Sequence, residues 1–135
     1  MPEENKKTFQ ISVPIQKVDE EKRLVYGWAS VIEENGIAVV DKQDEVIELD
    51  ELTKAVHEFM EIRRAKTMHV GKATGTIVES IIFSNDIQKA LGIDLKKVGW
   101  FIGVKVHDEE SWKLVKDGTL KAFSIGGYAL KEDVD

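Results

Sequence analysis

Val98-Gly99-Trp100-Phe101-Ile102-Gly103-Val104-Lys105-Val106-His107 carries an apolar side chain at every second position: Val98, Trp100, Ile102, Val104 and Val106. Successive side chains of a strand point to opposite faces, so this stretch reads as a strand with one buried face. His107 closes it on the other face, as a solvated strand end. Downstream, Asp108 caps a helix through Lys116 with Trp112 and Val115 inward, and Gly118 stops it. A last strand follows over 120–130. Upstream, Ser84-Asn85-Asp86 caps a short helix that runs through Leu91 and ends at Gly92. Before that lies a strong strand over 76–83. Strict alternation puts Ile77, Glu79, Ile81 and Phe83 on one face of it, and Val78, Ser80 and Ile82 on the other. Glu79 then shares its face with three apolar side chains. A buried carboxylate is costly unless paired. Glu79 is therefore either at a rim that reaches water or a carboxylate that orients a histidine.

The N-terminal half is richer in strands. Phe9, Ile11, Val13 and Ile15 alternate within an expected strand over 9–18, where Pro14 calls for an edge or a bulge. A charged turn at 19–22 leads into a second strand over 24–31, which carries Tyr26-Gly27-Trp28-Ala29, and the two form a hairpin. The Asn35-Gly36 step suits a tight turn before a short strand over 37–40. After a charged loop, Asp50 is the expected N-cap of a helix over 51–64. Leu52, Val56 and Phe59 form its apolar stripe, and Arg63, Arg64 and Lys66 lie at the negative end of its dipole. His57 reads as an ordinary helical histidine. His69 lies in a glycine-containing loop over 67–75.

Composition limits what such a chain can do. Its 135 residues suffice for one domain with a real core. A formal charge of −6, with no dense cluster of lysine and arginine, argues against a nucleic-acid partner. The absence of cysteine excludes disulfides, a thiolate nucleophile and cysteine-based metal sites. Three scattered histidines without ligand spacing give no reason to expect a metal or other cofactor. No apolar run is long enough for a membrane span or a signal peptide, so a soluble intracellular protein is the expectation. Six or seven strands with three helices interspersed, and no βαβ rhythm, favour an α+β fold. That many strands in a small domain could close into a barrel, although periodicity alone does not establish closure.

The chemistry is concentrated in Lys121-Ala122-Phe123-Ser124-Ile125-Gly126-Gly127-Tyr128. A strand delivers a serine, and two glycines nearby let another backbone or a substrate carbonyl approach without a Cβ in the way. A serine nucleophile needs a base that the fold brings from elsewhere, and of the three histidines His69 has the most suggestive setting. The plain alternative is a glycine-bulged core strand with an incidental serine.

Six segments occur in an order that resembles a known group. They are Tyr26-Gly27-Trp28-Ala29-Ser30, the stretch 41–48, Met68-His69, Gly75-Thr76-Ile77-Val78-Glu79, Val98-Gly99-Trp100 and Ala122-Phe123-Ser124-Ile125-Gly126-Gly127. The series resembles the XkdF-like serine proteases of tailed phages and prophages, a group similar to the prohead maturation proteases with the herpesvirus assemblin fold. The resemblance covers about 9–130, leaving 1–8 and 131–135 as tails. It implies a closed, mostly antiparallel β-barrel flanked by helices. It also implies a serine endopeptidase that cuts scaffold and capsid proteins inside the assembling prohead, in the bacterial host cytoplasm. Carried over by position, the nucleophile falls on Ser124 and the base on His69. The third member is Glu79, on the strand after the histidine, or else His107 or His57. Backbone N–H groups near Gly126 and Gly127, or Gly71 and Lys72, are the oxyanion candidates. No nucleic acid, membrane or cofactor is implied, and homo-oligomerisation is left open. Two other readings compete: a non-catalytic capsid- or scaffold-binding module on the same fold, and an unrelated barrel in which Trp28 and Trp100 line a ligand cavity.

Overall fold

A computed structural model of the chain describes residues 9–40, 45–65 and 75–127, with side chains described for 13–40, 45–61 and 75–122. Within these, seven strands are β1 (Phe9–Pro14), β2 (Lys17–Asp19), β3 (Leu24–Glu34), β4 (Ile37–Ala38), β5 (Gly75–Phe83), β6 (Lys97–Val106) and β7 (Ala122–Gly127). The helices are α1 (Leu49–Ala65), α2 (Asn85–Leu91) and α3 (Glu109–Lys116). The main sheet is antiparallel in the order β2-β3-β6-β5, with β4 on the far end of β3. The strand 97–106 is thus central, and Val98, Trp100, Ile102, Val104 and Val106 are all buried, as their alternation predicts.

The expected closed barrel is overturned. The main sheet is open, with β2 and β5 at its edges, and β1 and β7 pair with each other as a separate two-stranded ribbon. The cause lies at two adjacent residues. The Ile15 N–H donates to Lys121 O at 2.9 Å, and the Gln16 N–H donates to Tyr26 O at 2.8 Å. The chain changes sheets between them, so the single strand expected over 9–18 is two strands in two sheets. The hairpin survives as β2–β3, with Val18 opposite Val25.

One face of the main sheet holds the core. Phe59 of α1 meets Trp100 edge-on at 5.8 Å, Trp112 and Val115 of α3 join the same cluster, and Val13 of β1 is fully buried in it. The β1–β7 ribbon reaches this face because Gly27 lacks a side chain: a Cβ there would lie 2.2 Å from Pro14 O. Arg23 lies 5.6 Å over the Trp112 ring and pairs with Glu109 at 2.7 Å, which joins the start of α3 to the β2–β3 turn. The helix ends follow their sequence signals at Ser84 and Asp108, whose side chains accept from the N–H groups of Ile87 and Ser111. Helix α1 differs. It begins at Leu49, so Asp50 lies in its first turn, and the Glu51 carboxylate accepts the Glu48 N–H at 3.2 Å.

The other face of the sheet is aromatic. Tyr26, Trp28, Phe83 and Phe101 contact one another with ring centroids 5.2–6.2 Å apart. Trp100 is therefore a core residue, whereas Trp28 belongs to this second cluster.

Candidate active site

Ser124 lies in the middle of β7, opposite Ser12 of β1; Gly126 and Gly127 follow it in the same ladder, opposite Gln10 and Phe9. Three backbone contacts hold the ribbon in place. Leu120 N–H donates to Leu114 O at 2.9 Å, Lys121 O accepts from Ile15, and β1 then leads into β2 through the Gln16–Tyr26 bond. The strand that carries Ser124 is thus positioned by α3 on one side and by β3, through β1, on the other. The side chains of 123–127 lie outside the described set. His69 itself, with the whole segment 66–74, falls outside the described residues, as do Gly71 and Lys72. The Ser124–His69 pair therefore has no described geometry.

Glu79 lies on β5, and a bulge changes its surroundings. Ile77 opposes Val104 and Glu79 opposes Gly103, so two residues of β5 advance where β6 advances one. Val78 is the extra residue. Beyond it Ser80 and Ile82 face the core side, and the Trp100 indole N–H donates to Ser80 Oγ at 2.8 Å. Glu79, Ile81 and Phe83 take the aromatic face, away from Ile77, so the single face of four expected from strict alternation is split. Glu79 is exposed, and its carboxylate lies beside Tyr26. Gly103 makes room for this pair, because a Cβ there would lie 2.8 Å from the Tyr26 ring and 3.0 Å from Glu79 Oε1. Burial, then the hydrogen bond to Glu79, then the negative charges of Glu79 and Asp19 raise the Tyr26 pKa above its ordinary 10.0. Tyr26 is the residue that sequence reasoning missed at this position. Its place opposite Gly103 follows from the β3–β6 register, which periodicity alone does not supply.

The two remaining histidines are exposed. His107 follows β6, and its Nε2 lies 2.8 Å from Thr76 Oγ1 at the start of β5, the strand that the His69 segment enters. His57 lies on the outer side of α1. Among the described residues no group of three or more histidine, aspartate or glutamate side chains could hold a metal ion, and no helix is long and apolar enough to cross a membrane.

Comparison with known proteins fixes the family. The family model described as "Putative phage serine protease XkdF" matches residues 12–133, and the chain belongs to that family. It is also 30% identical over 129 residues to the uncharacterized protein YqbD of Bacillus subtilis (strain 168). That alignment takes in 93% of this chain but only 38% of the relative, so the chain spans well under half of that protein's length. No solved structure matches the chain significantly.

Proposed function

We propose that the chain is a serine endopeptidase of phage capsid maturation that cleaves scaffold and capsid proteins inside the prohead, using Ser124 as nucleophile and His69 as base. The observation that carries this reading is the family match over 12–133, which takes in both residues and most of the strands and helices around them. The chemistry is acyl transfer. His69 takes the hydroxyl proton as Ser124 Oγ attacks the scissile carbonyl carbon. The tetrahedral intermediate then collapses, the C–N bond breaks, and His69 gives its proton to the leaving amine. Water, activated in turn by His69, releases the acyl group from Ser124. Backbone N–H groups near Gly126 and Gly127 are the proposed oxyanion donors.

Glu79 is the proposed third member, orienting His69 and stabilising its charged form, although it lies on the aromatic face of the sheet while the ribbon that bears Ser124 packs on the core face, so that His69 would have to bridge the two. A carboxylate offers about four acceptor positions, so Glu79 beside Tyr26 keeps lone pairs for an imidazole N–H. His107 is the weaker candidate, because Thr76 already engages its Nε2.

A fluorophosphonate probe tests the nucleophile directly. Attack by Ser124 forms an O–P bond, fluoride leaves, and the protein gains one phosphonyl group. The expected result is a single adduct on the peptide containing Ser124, absent in Ser124→Ala and much slower in His69→Ala. No labelling of the wild type under conditions that label a known serine protease would leave the non-catalytic binding module as the better reading.

A further inference from the structure

On one face of the main sheet α1, α3 and the β1–β7 ribbon pack through Phe59, Trp112 and Val13. On the other, Tyr26, Trp28, Phe83 and Phe101 form their ring cluster yet stay only half-buried, and Ile81 beside them retains 37% of its accessible surface. A contiguous apolar patch of this kind marks an interaction surface. Residues directly opposite one another in an antiparallel ladder project to the same side, so the register reads this face row by row. One row runs Lys17, Tyr26, Gly103, Glu79 across β2, β3, β6 and β5. The next carries Trp28, Phe101 and Ile81 across β3, β6 and β5. The first row is thus positive at one edge of the sheet and negative at the other, and both charged residues are exposed.

We infer that this aromatic face is the contact surface of a symmetric dimer, stacked face to face on a second copy of the chain. Charge complementarity selects this occupant. A two-fold axis along the strands, between the two sheets, sets β2 of one copy over β5 of the other and β3 over β6. Lys17 of each copy then meets Glu79 of the other, so one residue pair supplies two ion pairs. Trp28 and Phe101 meet across the axis in the same way. An axis across the strands through this row would instead set Glu79 over Glu79 and Lys17 over Lys17, so charge also fixes the orientation. On the far side of the charged row, Asp19 of β2 and Lys105 of β6 lie on the same face, and these four charges cancel although the chain carries −6. Four strands about 4.8 Å apart, with about 3.4 Å per residue along β5, give a face on the order of 500 Å². That is less than the roughly 800 Å² per partner of a standard interface, so the dimer should be micromolar rather than nanomolar. The inference uses the main sheet alone and does not rest on the proteolytic reading.

Sedimentation velocity across the micromolar range tests it by charge exchange. The wild type should dimerise as its concentration rises. Lys17→Glu and Glu79→Lys should each weaken the dimer about tenfold, because each turns both ion pairs into like-charge pairs. Mixed in equal amounts, the two variants should associate about as well as the wild type, and so should a chain that carries both exchanges. Ile81→Arg changes an exposed position and should abolish dimerisation with the fold intact by circular dichroism. A dimer indifferent to both charges, or one that neither the mixture nor the double exchange restores, would overturn the inference. So would a chain that stays monomeric throughout. Acrylamide quenching of the half-buried Trp28, the other two tryptophans being buried, then tells what replaces the second copy. Free quenching would mean a bare face left for a different partner, and shielding would mean that another part of the chain covers it.

Discussion

Tyr26 and Glu79 show how far single residues can be followed. Tyr26 is held protonated by burial and by the carboxylate beside it, so its folded pKa lies above the 10.0 of an unfolded chain. The stabilisation linked to that shift is therefore complete below pH 10.0 and is lost as pH rises through the folded value. Ultraviolet difference titration, assigned by comparison with Tyr26→Phe, should find this tyrosine ionising late; Glu79→Gln should bring it back towards its ordinary range. If Glu79 also orients His69, Glu79→Gln should lower kcat by about a hundredfold or more with little change in KM, and His107→Ala should leave kcat within a few-fold. The reverse ranking would give the third place to His107. Glu79 was legible in the sequence as a carboxylate among apolar neighbours in need of a partner. Its phenolic partner was not, because a one-residue bulge at Val78 changes the face of everything that follows while leaving the composition of the strand untouched.

At the scale of elements, two devices position the strands, and each predicts a measurable loss. Gln88 of α2 is buried, and its side-chain amide donates to Phe83 O at 3.1 Å and Lys97 O at 2.7 Å while its oxygen accepts the Leu95 N–H at 2.8 Å. It ties the end of β5 to the start of β6. Gln88→Ala leaves these backbone groups unpaired and should cost about 2–3 kcal/mol in urea denaturation. Gln88→Glu should be at least as damaging, since a carboxylate would then face two carbonyl oxygens. Gly27 is the second device. Gly27→Ala forces a methyl against Pro14 O and Val13, which should cost ~1–3 kcal/mol and displace β1, and with it the β7 strand that bears Ser124. Activity should therefore fall further than stability alone explains, which rates measured well below the melting temperature would reveal. Helix ends were readable because their chemistry is local: Ser84, Asp108 and Gly92 act within a few residues of themselves. The split between β1 and β2 was not, since it depends on Lys121, more than a hundred residues from Ile15 in sequence, whereas the Gln16–Tyr26 bond belongs to the expected hairpin.

For the whole molecule, the α+β composition and the buried face of β6 follow from periodicity, but the closed barrel does not form. Closure requires β1 and β7 to bridge the edges β2 and β5, and their pairing with each other precludes it. Alternation fixes which side chains of a strand share a face, and it is silent on which strands lie side by side. Among the described residues the open sheet leaves an aromatic face that carries Glu79 and an outer edge at β5, while Ser124 is carried by the ribbon on the core face. The central claim, that these parts form an endopeptidase, is tested most directly by co-expressing the protein with the scaffold and capsid proteins of its phage and reading intact masses. Wild type, Ser124→Ala and His69→Ala are compared. The account predicts defined fragments of scaffold or capsid protein with the wild type and none with either variant. Identical intact masses in all three, with the scaffold still bound, would contradict it and make the chain a binding module of the assembling shell.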